Sequence, residues 1–175
     1  MKRSITVPAG VDLAGTVGTL ASGRSDPTFL ATPGQVVSAM RPPNGPATVR
    51  FSGGGTAVEA EAWGPGAGWA SERSPAMVGA DDPAYSVEHP LLGPLARRHR
   101  GLRLTRTGLV VERMIRTILE QKVTGKESKR SYARLTRATS EPEPGPHEGL
   151  LLPPDPAVIA SWGYFRFHPL GIERK

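Results

Sequence analysis

The side chains of this sequence that are best arranged to do chemistry are its cations, and they stand together. Between Leu91 and Ser140 there are 13 Lys or Arg against three acidic residues, Glu112, Glu120 and Glu127, a local net of +10, whereas the rest of the chain carries a net of −4. Positive charge gathered into one 50-residue window is the electrostatic footprint of a nucleic-acid face. A solvated basic surface would have the same composition. Within the window, Lys126, Lys129 and Arg130 fall on the wetter sides of a predicted helix, just after Gln121, Lys122 and Thr124.

The groups that would serve other chemistries are poorly placed. Asp81 and Asp82 precede Pro83 at a composition break, and Asp155 sits in Pro-Pro-Asp-Pro, where capping a helix is its natural role. His89 and His168 each precede a proline and lie far apart, which is not metal-ligand spacing. No cysteine is available for a disulfide or a thiolate site. Gly53-Gly-Gly55 is not followed by the Gly-Lys-Ser/Thr of a phosphate-cradling loop. No metal ligands and no cofactor site are expected. The short apolar stretch after Met-Lys-Arg is interrupted by Pro8, Gly10 and Asp12, and no apolar run has membrane-spanning length, so the expected location is the cytoplasm and no membrane contact is expected.

The elements that position the basic window can be read by periodicity. With 21 Gly and 18 Pro, the chain favours short strands and turns over a helical bundle. Ile5–Val7, Val11–Leu20, Thr48–Phe51 and Thr56–Ala62 are strand-like runs; the last two read as a hairpin turning at Gly53–Gly55, its second arm alternating apolar and acidic residues. Trp63 and Trp69 read as core anchors. After Asp82 the period changes. Leu91, Leu92 and Leu95 share one side of a short helix that Gly101 ends. From Leu109 to Gln121, the pairs Val110-Val111, Met114-Ile115 and Ile118-Leu119 mark a helix apolar over half its girth, with Glu112, Arg113, Arg116, Thr117 and Glu120 on the remainder. Lys122 breaks that repeat, and Thr124-Gly-Lys-Glu127 has the spacing of a capping box. A second helix is expected from Thr124 to Ala138, burying Tyr132 and Leu135. Glu141–Pro146 reads as a stiff surface linker and Asp155–Trp162 as a short helix with proline at its first position.

Gly101-Leu-Arg-Leu104, Val111-Glu-Arg-Met-Ile-Arg-Thr-Ile-Leu-Glu-Gln-Lys-Val-Thr124 with its central Ile-Leu-x-Gln-x-Val-Thr, Leu152-Pro-Pro-Asp-Pro156 and Phe167-His-Pro-Leu-Gly-Ile-Glu-Arg-Lys175 resemble the DNA-3-methyladenine glycosylase II type of the helix-hairpin-helix DNA glycosylase superfamily. Asp12-Leu-Ala-Gly-Thr and Asp26-Pro-Thr extend the likeness, less specifically, into the first half. The resemblance implies an α+β chain: an antiparallel β-sheet N-terminal domain (1–82) followed by the first helices of an α-helical glycosylase domain (83–175), truncated before the helix-hairpin-helix and the catalytic Asp. It implies hydrolysis of the N-glycosidic bond of alkylated bases by the whole protein, without a cofactor, on double-stranded DNA and as a monomer when full length. The fragment itself is expected to be inactive, with no catalytic residue among its 175. In the family, the junction between the two helices fills the hole left by a flipped base. By that correspondence Gln121 contacts DNA, and Lys122 occupies the wedge position, where it either enters the stack or reaches a phosphate. Two other readings fit the same residues: a non-catalytic nucleic-acid-binding protein, and a protein–protein module built on the sheet.

Overall fold

The structure is a computed structural model that describes residues 1–82 and 87–173, the side chains of Pro8 and Ala9 excepted. It is α+β, as expected. Four antiparallel strands, β1 (Lys2–Val11), β2 (Phe29–Thr32), β3 (Gln35–Met40) and β4 (Ala47–Trp63), form one sheet in the order β1-β4-β3-β2. One face is buried by a helix α1 (Leu13–Val17), a following 3-10 turn (Gly18–Leu20) and α2 (Ala67–Met77). The core between them holds Ile5, Val7, Val36, Met40, Val49, Phe51 and Val58 from the sheet, with Val17, Leu20, Ala70 and Met77 from the covering elements.

Two expectations about this half are corrected. Val11–Leu20 is mostly helical, not a strand. Leu13, Thr16, Val17 and Leu20 are buried at helical spacing, and the Asp12 carboxylate accepts from the Gly15 N–H, 2.9 Å, as an N-cap. The two runs around Gly53–Gly55 are not arms of a hairpin but one continuous strand. β4 pairs with β3 up to Ser52 and with β1 from Gly55 onward, so the glycines mark a change of partner. Gly53 has φ +96, and a Cβ there would stand 2.9 Å from the Ala57 carbonyl oxygen, so only glycine bends the strand this sharply. Beyond the bend the expected alternation holds, with Val58, Ala60 and Ala62 inward and Glu59 exposed. The β2–β3 hairpin and α2 have no counterpart in the sequence expectations. Pro75 lies inside α2; the Ser71 carbonyl, one turn earlier, receives the Ser74 hydroxyl and Arg3 Nη1.

The helical half comprises α3 (Leu92–Arg98), α4 (Val110–Leu119), α5 (Gly125–Thr139), α6 (Pro156–Ser161) and α7 (Tyr164–Phe167). The far side of the boundary expected at 82/83, and Arg174 and Lys175 at the end of the Phe167–Lys175 motif, lie outside the described residues. α6 starts as expected, with Pro156 first and the Asp155 carboxylate accepting from the Ala157 N–H. Trp69 packs on the sheet core; Trp63 instead meets His147 edge-on, ring centroids 5.2 Å apart, with the Arg50 guanidinium over its ring. Glu141–Pro146 is more than a surface linker. Glu143 is buried and accepts from the Thr48 hydroxyl and the Gly145 and His147 N–H groups, which ties the segment to β4.

α4 inverts the usual rule for a surface helix. Its charged side faces the sheet layer: the Arg41 N–H donates to Glu112 Oε1, 2.6 Å, and Arg113 Nη2 donates to the Thr19 carbonyl, 2.9 Å. Its apolar side, Val110, Val111, Met114 and Ile118, is exposed, and no residue of α4 itself is buried.

Candidate nucleic-acid interface

The site is the meeting point of α4 and α5. α4 ends at Leu119; the Glu120 N–H donates to the Arg116 carbonyl and the Gln121 N–H to the Ile118 carbonyl, 3.2 Å, a tightening last turn. Lys122 then has φ +57, the sole non-glycine residue in the left-handed region among the described residues. That conformation costs a side-chain-bearing residue roughly 1–3 kcal/mol and reverses the chain within three residues. Thr124 opens α5 as N-cap with a complete capping box: Glu127 N–H donates to Thr124 Oγ1, 3.3 Å, and Thr124 N–H to Glu127 Oε2, 2.9 Å. The broken repeat at residue 122 and the box at 124–127 therefore place the junction where the sequence does.

All six candidate residues lie at the surface around the junction. Gln121, Lys122, Thr124, Lys126, Lys129 and Arg130 are exposed in or just after the junction. Thr124 spends its hydroxyl on the cap, donating to Glu127 Oε2 at 2.8 Å, so its part is to fix the start of α5. Lys126, Lys129 and Arg130 stand on the first turns of α5, whose opposite side buries Ser128, Ser131, Tyr132 and Leu135. Beside Gln121 an open groove follows α4 past Leu109, Val110, Met114 and Ile118. A second concavity borders the junction, between Ile118, Val123, Gly171 and Ile172.

What holds the junction in place was not foreseen. Arg116 Nη1 donates to Asp26 Oδ2, 3.0 Å, and to the Leu20 carbonyl; Nη2 donates to the Thr28 hydroxyl, 3.1 Å, and the Tyr132 hydroxyl, 2.8 Å. The guanidinium also lies over the Tyr132 ring, 4.3 Å from its centroid. One side chain thus joins α4 to α5 and to the loop before β2. Burial, against the weaker pull of Arg116, pushes the Tyr132 hydroxyl up to about 12, so it stays protonated. Burial also pushes Glu112 up to about 7, against the opposing pull of the Arg41 N–H and of Arg116, Arg41 and Arg113. Local sequence carries no sign of these ties, because all the partners but Tyr132 lie 71 to 96 residues away.

The remaining chemistry is sparse. Among the described residues no three metal-ligating side chains cluster. Asp12 and Asp155 cap helices, Asp82 pairs with Arg106 at 2.9 Å, and Glu141 pairs with Arg41 at 3.2 Å. No helix of the described residues is long and apolar enough to cross a membrane.

No known protein family and no curated protein sequence is matched by this chain. Solved structures do match. The 3-methyladenine DNA-glycosylase from Archaeoglobus fulgidus superposes with a TM-score of 0.71 at 13% identity, over 98% of this chain and 62% of that one. MBOgg1, solved with a low-affinity DNA ligand, superposes at 0.68 and 13% identity over 97% of this chain and 57% of that one. The 8-oxoguanine glycosylase/lyase of Clostridium acetobutylicum in its apo form gives 0.51 at 10% identity, over 82% and 60%. The chain spans about three fifths of the length of these structures. It has, over nearly its whole length, an α+β fold found within DNA glycosylases.

Proposed function

We propose that this chain is part of a base-excision DNA glycosylase and carries its duplex-gripping junction, the whole protein hydrolysing the N-glycosidic bond of alkylated bases such as 3-methyladenine. The observation that carries the reading is the strained, exposed turn at Lys122, flanked by Gln121 and followed by three exposed cations on a capped helix. A turn of this form can enter a duplex while Lys126, Lys129 and Arg130 neutralise the adjoining phosphates. Gln121 and Lys122 are assigned to the gap left by the extruded base. The hydrolytic step is assigned to no residue of these 175, a reading supported at Asp12, Asp82, Asp155 and Glu141, which serve caps and ion pairs. The exposed apolar face of α4 supports a further protein layer over it in the complete enzyme. The same engaged carboxylates favour a second reading, a non-catalytic nucleic-acid-binding protein.

The experiment is a titration of the chain with a duplex oligonucleotide carrying an abasic-site analogue, at several salt concentrations. Affinity should fall steeply with salt, and replacing Lys126, Lys129 and Arg130 together by Gln should lower the log–log slope by about three, near 0.9 per phosphate. Salt-independent or undetectable binding would refute the reading. Release of methylated base by the chain alone, abolished on changing one of its own carboxylates, would overturn the assignment of the hydrolytic step.

A further inference from the structure

We propose that the sheet half also grips DNA, through a cleft at its seam with α5 that takes one sugar-phosphate of the duplex, held by Arg24 and Lys129. This rests on the nucleic-acid reading of α5 and extends it to a part of the chain that no comparison assigns to DNA.

The cleft has a volume near 650 Å³ and lies between the loop after α1 and the outer edge of β2. Its floor is apolar, from Phe29, Leu30 and Ala31, and its charged lining residues are Arg24 and Lys129. Among the described residues no carboxylate lines it; the nearby Asp26 is buried and bound to Arg116. Two cations above an apolar floor, with no carboxylate among the described lining residues, match the two faces of a nucleotide backbone unit, an anionic phosphate beside the carbon face of a deoxyribose.

The cleft is shaped by glycine. Gly23 has φ +86, and a Cβ there would stand 2.9 Å from Lys129 Cδ and 3.5 Å from Cε. The loop backbone can thus lie directly against the stem of Lys129, which joins the α5 cation to the sheet half next to Arg24. Lys129 also continues the exposed row begun by Lys126 and Arg130, so a strand lying on α5 would pass the cleft without leaving the protein. β2 is an edge strand, and an acidic extended peptide could in principle add to it. Continuity with the basic face of α5 favours the nucleic acid.

The test uses the whole 175-residue chain and the same abasic-analogue duplex, read by fluorescence anisotropy between about 50 and 200 mM salt. Arg24→Gln should weaken binding several-fold at the lower salt and reduce the slope by about one. Lys129→Gln should do the same, and the double variant should lose less than the product of the single effects, because both cations share one phosphate. Gly23→Val should weaken binding by displacing Lys129, and melting curves of each variant confirm that it folds. If the wild type binds with a steep slope that Arg24→Gln leaves unchanged in a folded protein, this inference fails and the α5 reading stands. If the wild type shows no salt-dependent binding, that reading itself fails, and this inference with it. Capture of a polyglutamate peptide, lost on Arg24→Gln while duplex binding persists, would assign the cleft to acidic peptides and overturn the proposal.

Discussion

Arg116 on α4 and Asp26 in the loop before β2 form a buried ion pair at 3.0 Å, their side chains 11% and 1% exposed. The Asp26 carboxylate also accepts the Ser22 and Thr28 N–H groups and the Thr28 hydroxyl, so it is fully engaged only with the guanidinium in place. Removing one partner of such a pair strands the other charge. Arg116→Ala should therefore cost about 3–5 kcal/mol in denaturant unfolding. Arg116→Lys should recover little, since one ammonium cannot reach Leu20, Asp26, Thr28 and Tyr132 together. A loss below about 1 kcal/mol for the alanine variant would mean that the pair does not fasten α4.

Glu112 gives the fold a pH dependence of defined sign. Its folded-state value of about 7 stands above the ordinary 4.5, so its contribution to stability is fully present below pH 4.5 and is lost as pH rises through about 7. At about 1.36 kcal/mol per unit, the ceiling is on the order of 3 kcal/mol. Glu112→Gln keeps an acceptor for the Arg41 N–H and should flatten the stability profile across this window, with its gain over wild type largest above pH 7. Parallel profiles for the two proteins would remove Glu112 as the cause.

The left-handed backbone at Lys122 separates strain from recognition. Lys122→Gly should stabilise the chain by roughly 1 kcal/mol, because glycine takes positive φ freely, while duplex binding falls. Thermal melting and anisotropy measured on the same samples read both effects. A glycine variant that melts lower and binds as wild type would mean that the turn is only a connector.

The exposed side of α4 predicts surface behaviour. The chain should bind a hydrophobic dye, and Met114→Lys with Ile118→Glu should reduce that binding with little change in melting temperature, as both residues are more than half exposed. A large fall in melting temperature would show instead that this side of α4 is packed in solution.

How much of this was legible depended on how local each signal is. α4, α5 and their junction could be read because a 3.6-residue period and a four-residue capping box are complete within a short stretch. Val11–Leu20 was misread because Val and Thr suggest a strand, although Asp12 followed by Leu13, Val17 and Leu20 carries a helix start and helical spacing. Gly53–Gly55 punctuates the chain like a turn, but the identity of the partner strand on each side is a non-local fact. Arg116, Arg41 and Glu112 look like an ordinary wet helix face and loop; only the sheet layer that meets them makes them fasteners. Arg24 is a lone arginine in a turn until Lys129 is folded beside its loop.

The central claim is that the α4–α5 junction enters the duplex, and unstacking measures it most directly. A duplex carrying 2-aminopurine next to an abasic-site analogue brightens when its base is unstacked. Adding the wild-type chain should raise the fluorescence, and Gln121→Ala with Lys122→Ala should abolish most of the rise at protein concentrations that still saturate binding. Lys122→Leu then decides between the two roles of residue 122: it should retain or increase the rise if that side chain wedges into the stack, and weaken binding if it holds a phosphate. No rise with the wild type, or an equal rise with the double alanine variant, would contradict the account and leave the junction as a helix cap alone.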